Sequence, residues 1–88
     1  MCQTAKSLTF SGKITVNGRT TQYNNQPVPI PAGFSNCLSR QGDKLSIMTK
    51  TPIGTFNNTV TDNNGKITGT LRFPGATINL NGSGSFQY

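Results

Sequence analysis

The chain has 88 residues and a net charge of +6, with eight Lys and Arg against two Asp. Charged residues make up 11% of it and hydrophobic ones 32%, the balance being largely Thr, Asn, Ser and Gly. These values describe one domain, exclude a membrane-crossing helix because no run of 18 apolar residues exists, and lack the high charge content that accompanies disorder. Thr favours strands while Asn and Gly favour turns, so the composition suits sheet joined by tight turns.

The first clear element is Ser7–Val16. There Leu8, Phe10, Gly12, Ile14 and Val16 alternate with Ser7, Thr9, Ser11, Lys13 and Thr15. A period of two marks a strand with one buried face. Asn17-Gly18 follows, a strong signal for a type I′ hairpin, whose two central residues both need positive φ. Residues 19–24, with Thr20, Thr21 and Tyr23, return the chain. In 26–33, Pro27, Pro29 and Pro31 alternate with Val28, Ile30 and Ala32. Proline donates nothing to a ladder, so this segment is expected to be an extended crossover or a sheet edge.

Residues 34–40 resume as a strand carrying Cys37, and Gln41-Gly42-Asp43 turns the chain into 44–50. Leu45 and Ile47 share one face of that strand and Met48 takes the other. Thr51-Pro52-Ile53-Gly54 is a turn with proline at its favoured second position. Residues 55–61 alternate through Phe56 and Val60, and Asp62-Asn63-Asn64-Gly65 is a second hairpin tip in which Asp62 holds its own turn. Lys66–Phe73 places Ile67, Gly69, Leu71 and Phe73 inward and Lys66, Thr68, Thr70 and Arg72 outward. Pro74-Gly75 leads to a last strand at 76–80. The Gly- and Ser-rich tail ends in Phe86 and Tyr88, which can dock it on the sheet.

No window shows the three-and-four spacing of an amphipathic helix. The expected fold is a single all-β domain over residues 1–88. It is a small antiparallel β-sandwich or barrel of six to seven short strands, meander-like, with one disulfide. Gly12-Lys13-Ile14-Thr15 recurs as Gly65-Lys66-Ile67-Thr68; the flanks do not match, and two strands obeying the same rules account for the echo.

Cys2 and Cys37 are an even count in a small domain and are expected to pair. Closing that loop adds roughly 3–4 kcal/mol on the chain-entropy model and ties down a terminus that otherwise frays. It implies an oxidising location: secreted, periplasmic or at a cell surface. A competing reading makes Cys2 the lipidated first residue of a bacterial lipoprotein and leaves Cys37 a buried free thiol. No signal peptide is visible, and Met1 directly before Cys2 reads as a start residue set on a mature domain. Two cysteines without histidine cannot fill a zinc site, so no metal is expected.

The absence of histidine removes the usual neutral-pH base, and the carboxylates Asp43 and Asp62 fall in separate turn tips. No catalytic residue and no cofactor is expected, and the chain reads as a non-enzyme. The candidate site is a cationic face of Lys13, Arg19, Lys66 and Arg72. Tyr23, Phe34 and Tyr88 are the candidate exposed aromatics, while Phe10, Phe56 and Phe73 point inward. Such a face suits a secreted cationic binding protein of the effector, toxin or antimicrobial kind, acting on an anionic glycan, an anionic surface or a protein. The alternative is a structural or adhesive module of a cell surface, pilus or virion, prone to self-association or glycan binding through its Thr-rich faces. Nucleic acid is disfavoured, since no RNP-type aromatic motif is present and the cysteine pair points away from the cytosol. Asn57-Asn58-Thr59 and Asn81-Gly82-Ser83 match the N-glycosylation pattern, which matters only for a eukaryotic source.

Overall fold

The structure, a computed structural model, describes all 88 residues, Met1–Tyr88. The strands are β1 (Gln3–Ala5), β2 (Ser7–Val16), β3 (Arg19–Val28), β4 (Ser35–Gln41), β5 (Lys44–Thr51), β6 (Gly54–Asn63), β7 (Lys66–Phe73) and β8 (Ala76–Gln87). All pair antiparallel in one sheet of order β1-β4-β5-β6-β7-β8-β2-β3. The all-β class is as expected, but the count is eight rather than six or seven. The extra strand, β1, has three residues and is too short to show alternation. The glycine-rich tail is a full central strand: β8 runs to Gln87, and Phe86 pairs with Leu8. β3 continues through Pro27 to Val28 at the end of the strand order, where proline is tolerated. β4 to β8 form the expected meander, whereas the β2–β3 hairpin lies beyond β8.

The topology forces the sheet to curl. β1 and β2 stand first and seventh in the order, yet Lys6 alone separates them in sequence. In a flat sheet, six spacings of ~4.8 Å would put them roughly 29 Å apart. The linking residues span about 10 Å at most. The sheet therefore rolls into a half-barrel, and the Lys6 N–H donates to the Gln87 carbonyl at 2.6 Å along the seam.

Missing side chains on the inner face permit that curvature. Gly12, at φ +137° where a side chain is rarely tolerated, lies directly opposite Gly82. The ring of Phe10, fully buried, covers the gap: a Cβ on Gly82 would stand 2.8 Å from its Cζ, and one on Gly84 2.9 Å from its Cδ1. Glycine at such a point lets two backbones approach and a sheet bend sharply. The echoed motif occupies unlike places: Gly12 lies mid-strand at an irregularity in the β2–β3 register, and Gly65 lies in the β6–β7 turn.

The core is small. Ten apolar residues are buried, with Phe10, Leu45 and Ile67 the most enclosed. Cys2 and Cys37 form the expected disulfide across a Cα–Cα distance of 5.3 Å, and neither thiol is free. The lipoprotein reading, which needs a free Cys37, does not describe this structure.

The two ends of the half-barrel differ. Next to their connecting turn β6 and β7 pair through Thr61–Asn63 and Lys66–Thr68 only. Beyond that they part, and the Asn58 amide spans the gap. Its Oδ1 accepts from Arg72 N–H at 2.9 Å and its Nδ2 donates to the Arg72 carbonyl at 3.3 Å. This end is open. The other end is closed by the β4–β5 and β6–β7 turns.

Candidate functional site

Alternation about the buried Ile14, Leu45 and Ile67 puts Lys13, Lys44 and Lys66 on the convex face, all exposed. Their rows are fixed by register. Lys13 pairs with Asn81, Asn81 with Thr68, Thr68 with Thr61, and Thr61 with Lys44. Lys66 stands two residues from Thr68 on the strand between them. At ~4.8 Å per strand and ~3.4 Å per residue, each neighbouring pair of these lysines is roughly 12 Å apart. That exceeds the Debye length of about 8 Å at physiological salt, so their mutual repulsion is weak and each charge stays available.

The expected set of four does not form one patch. Lys13 and Lys66 come together. Arg72 shares their face but stands six residues from Lys66, about 20 Å along β7. Arg19 pairs with Val16 and so lies on the concave side. A two-residue hairpin always sets its flanking residues opposite each other on one face, so this placement was readable from Val16-Asn17-Gly18-Arg19. Lys44 belongs with Lys13 and Lys66, but its position depends on the successive pairing of five strands, which no local pattern reports.

None of these lysines forms a salt bridge, although Asp43 directly precedes Lys44. Asp62 is 6% exposed, and its Oδ2 accepts from Arg40 Nη2 at 2.8 Å in the structure's one salt bridge. Its Oδ1 accepts from Gly65 N–H at 2.9 Å, so Asp62 holds its turn as expected, while Arg40 Nη1 donates to the Asp62 carbonyl at 3.2 Å. Asp43 lies in the neighbouring turn, where its carbonyl accepts from Asp62 N–H at 2.8 Å. Both acids therefore sit at the closed end, beside a polar depression of about 570 Å³. The hydrogen bond to Asp62 holds the Arg40 guanidinium above its usual pKa. A raised cation pKa adds stability fully present below the ordinary arginine range and lost only as pH rises beyond it, so Arg40 contributes no pH dependence near neutrality. Asp62→Asn keeps the turn acceptor but removes the charge. Because Arg40 is half-exposed, the expected loss is about 1.5 kcal/mol, below the range for a fully buried pair, and urea unfolding measures it.

Among the aromatics only Tyr23 departs from expectation. Tyr23 is half-buried and packs edge-on against Phe10, with centroids 6.4 Å apart. Phe34 and Tyr88 are exposed. Phe56 and Phe73 form an edge-to-face pair at 6.0 Å near the open end, half-buried on the inner face. Both sequon asparagines, Asn57 and Asn81, are exposed.

Sequence reasoning missed a concave groove at the open end. It encloses about 430 Å³ and is lined by 20 residues, 15 of them hydrophobic. Ile14, Leu38 and Leu80 form its base, Leu71 and Ile78 a wall, and the 29–34 crossover with Ile30 and Phe34 the opposite wall. Among its polar residues Thr49 Oγ1 donates to Asn36 Oδ1 at 2.7 Å, and Ser7 Oγ donates to Gln87 Oε1 at 2.8 Å. Comparison with protein-family models, curated proteins and solved structures finds no match to the chain.

Proposed function

We propose that the protein is a small, secreted, non-enzymatic binding protein that engages an anionic glycan, surface or protein through its convex β face. The observation that carries this reading is the trio Lys13, Lys44 and Lys66, none of which forms a salt bridge. These cations stand on one face; Asp62 is bound to Arg40, and Asp43, in the turn just before Lys44, forms no salt bridge. Long-range attraction of this kind raises association rates and weakens with salt. The cross-link supports an oxidising location.

The test is binding to immobilised heparin and to vesicles rich in anionic lipid. Lys13→Glu/Lys66→Glu lowers the net charge from +6 to +2. Its expected affinity loss at low salt is about tenfold or more, with stability changed by under ~0.5 kcal/mol. Lys6→Glu/Arg19→Glu makes the same charge change off that face, at the β1–β2 link and on the concave side, and is expected to lose far less. Equal losses for the two variants would reduce the reading to bulk charge, and wild-type binding unaltered from 50 to 200 mM salt would remove its electrostatic basis.

The edge strand favours the second reading, an adhesive or structural module. β3 is ten residues long, exposed along most of its length, and paired on one side only. Such an edge is a template for another chain. Pro27 and the positive-φ Asn25 blunt one end, leaving residues 19–24 to pair. Sedimentation showing a defined oligomer at high protein concentration would favour this reading over a free binding protein.

A further inference from the structure

We infer that the concave groove is a binding site for a single-chain anionic amphiphile, an alkyl chain ending in a carboxylate or similar head. The inference does not rest on the convex face.

The groove interior asks for an apolar occupant. No buried side-chain nitrogen or oxygen lacks a hydrogen-bond partner, and Asn36 and Thr49 satisfy each other. With 15 of 20 lining residues hydrophobic, the walls therefore offer chiefly dispersion contacts and release of water. A volume of about 430 Å³ lies inside the usual range for small-molecule sites, roughly 300–1,000 Å³. At about 30 Å³ per water-sized group, it holds a chain of roughly a dozen carbons.

The mouth asks for negative charge. Val16 lines the groove and is 43% exposed at its open end. Arg19 is its direct partner across the β2–β3 hairpin, on the same face and in no salt bridge. No charged residue of either sign lines the groove itself, and Arg19 stands beside it through Val16. Asp43 and Asp62 both lie at the closed end, so an anionic head at the mouth meets a cation and no acid. A cationic amphiphile would meet Arg19 repulsively, and a neutral one would gain only its chain.

Calorimetry with octanoate, decanoate and dodecanoate below their micelle concentrations tests this. The expected result is one site per chain, with affinity rising about three- to fourfold per methylene until the groove is full. Dodecanol is expected to bind about tenfold more weakly than dodecanoate, and dodecylammonium more weakly again. Arg19→Gln should bring dodecanoate down to the level of dodecanol and leave dodecanol unchanged. Lys13→Glu/Lys66→Glu should leave both unchanged, which separates this site from the convex face. Absence of saturable binding, affinity independent of chain length, or dodecanoate binding indifferent to Arg19→Gln would each overturn the inference. Arg19 lies on an exposed hairpin, so its replacement is not expected to disturb folding.

Discussion

Gly82→Ala is expected to destabilise the protein by about 3 kcal/mol or more, while Ser83→Ala, one residue on and facing outward, changes stability by under ~0.5 kcal/mol. The reason is what a Cβ at position 82 would strike. It would collide with the Ser11 carbonyl oxygen and stand 2.8 Å from both Gly12 Cα and Phe10 Cζ. Two of these three atoms are backbone of the neighbouring strand. Relief requires β2 to move away from β8, along a ladder that runs from Ser7↔Gln87 to Val16↔Ile78. The third belongs to the most enclosed ring in a core of ten residues. At 4–8 °C per kcal/mol for a domain of this size, thermal unfolding should fall by roughly 12–24 °C. Adding Phe10→Leu should not rescue it, because the backbone collisions remain. A Gly82→Ala protein that melts with the wild type would show that β2 and β8 do not approach as closely as described.

Removal of the cross-link by Cys2→Ser/Cys37→Ser is the second large effect. For a loop of 35 residues the chain-entropy model puts the loss near 4 kcal/mol. That is a large share of the 5–15 kcal/mol that keeps a typical domain folded, and it corresponds to a fall of roughly 15–30 °C. The structure also says where the damage begins. β1 has only three ladder partners, Leu38, Cys37 and Asn36, yet it joins the first strand of the curled sheet to the seventh. Without the bridge this seam is expected to open first, exposing Ala5 and Leu38, which are 6% and 3% accessible when it is closed. Native-state hydrogen exchange should therefore accelerate at Gln3–Ala5 and along β4 well before it does in β7 and β8. Uniform acceleration across all strands would instead mean that the bridge acts only on the unfolded chain. A melting point within a few degrees of the wild type would show that packing of Ala5 and Leu38 holds the seam unaided.

Much of this architecture is legible residue by residue. Alternation in Ser7–Val16 and Lys66–Phe73 placed Gly12 and Gly69 on the inner face beside Ile14 and Ile67, and Asn17-Gly18 marked the hairpin. Asp62 was readable as a turn holder because an Asx side chain bonds its own backbone within a few residues. Each of these facts depends on neighbours a few positions away. The tail was harder. In Gly82 and Gly84 glycine reads locally as flexibility, but here it marks the place where β8 passes under Phe10. That meaning exists only once Phe10, more than 70 positions earlier, has been brought across from it.

The candidate site shows the same division. An excess of positive charge, few acids, a cysteine pair and all-β alternation follow from residue identity and spacing, because charge and side-chain period are local properties. Which cations share a face does not. Strand order is non-local: Lys44 joins Lys13 and Lys66 only through four successive pairings, and Arg19 leaves them only because its strand folds back across from Val16. The groove is more remote still from any motif. It arises because a chain with one residue between its first two strands must close a seam, the sheet must curl to do so, and β6 and β7 part at the open end. Curvature and closure are settled by the whole set of strand pairings together, so they appear only when the chain is folded.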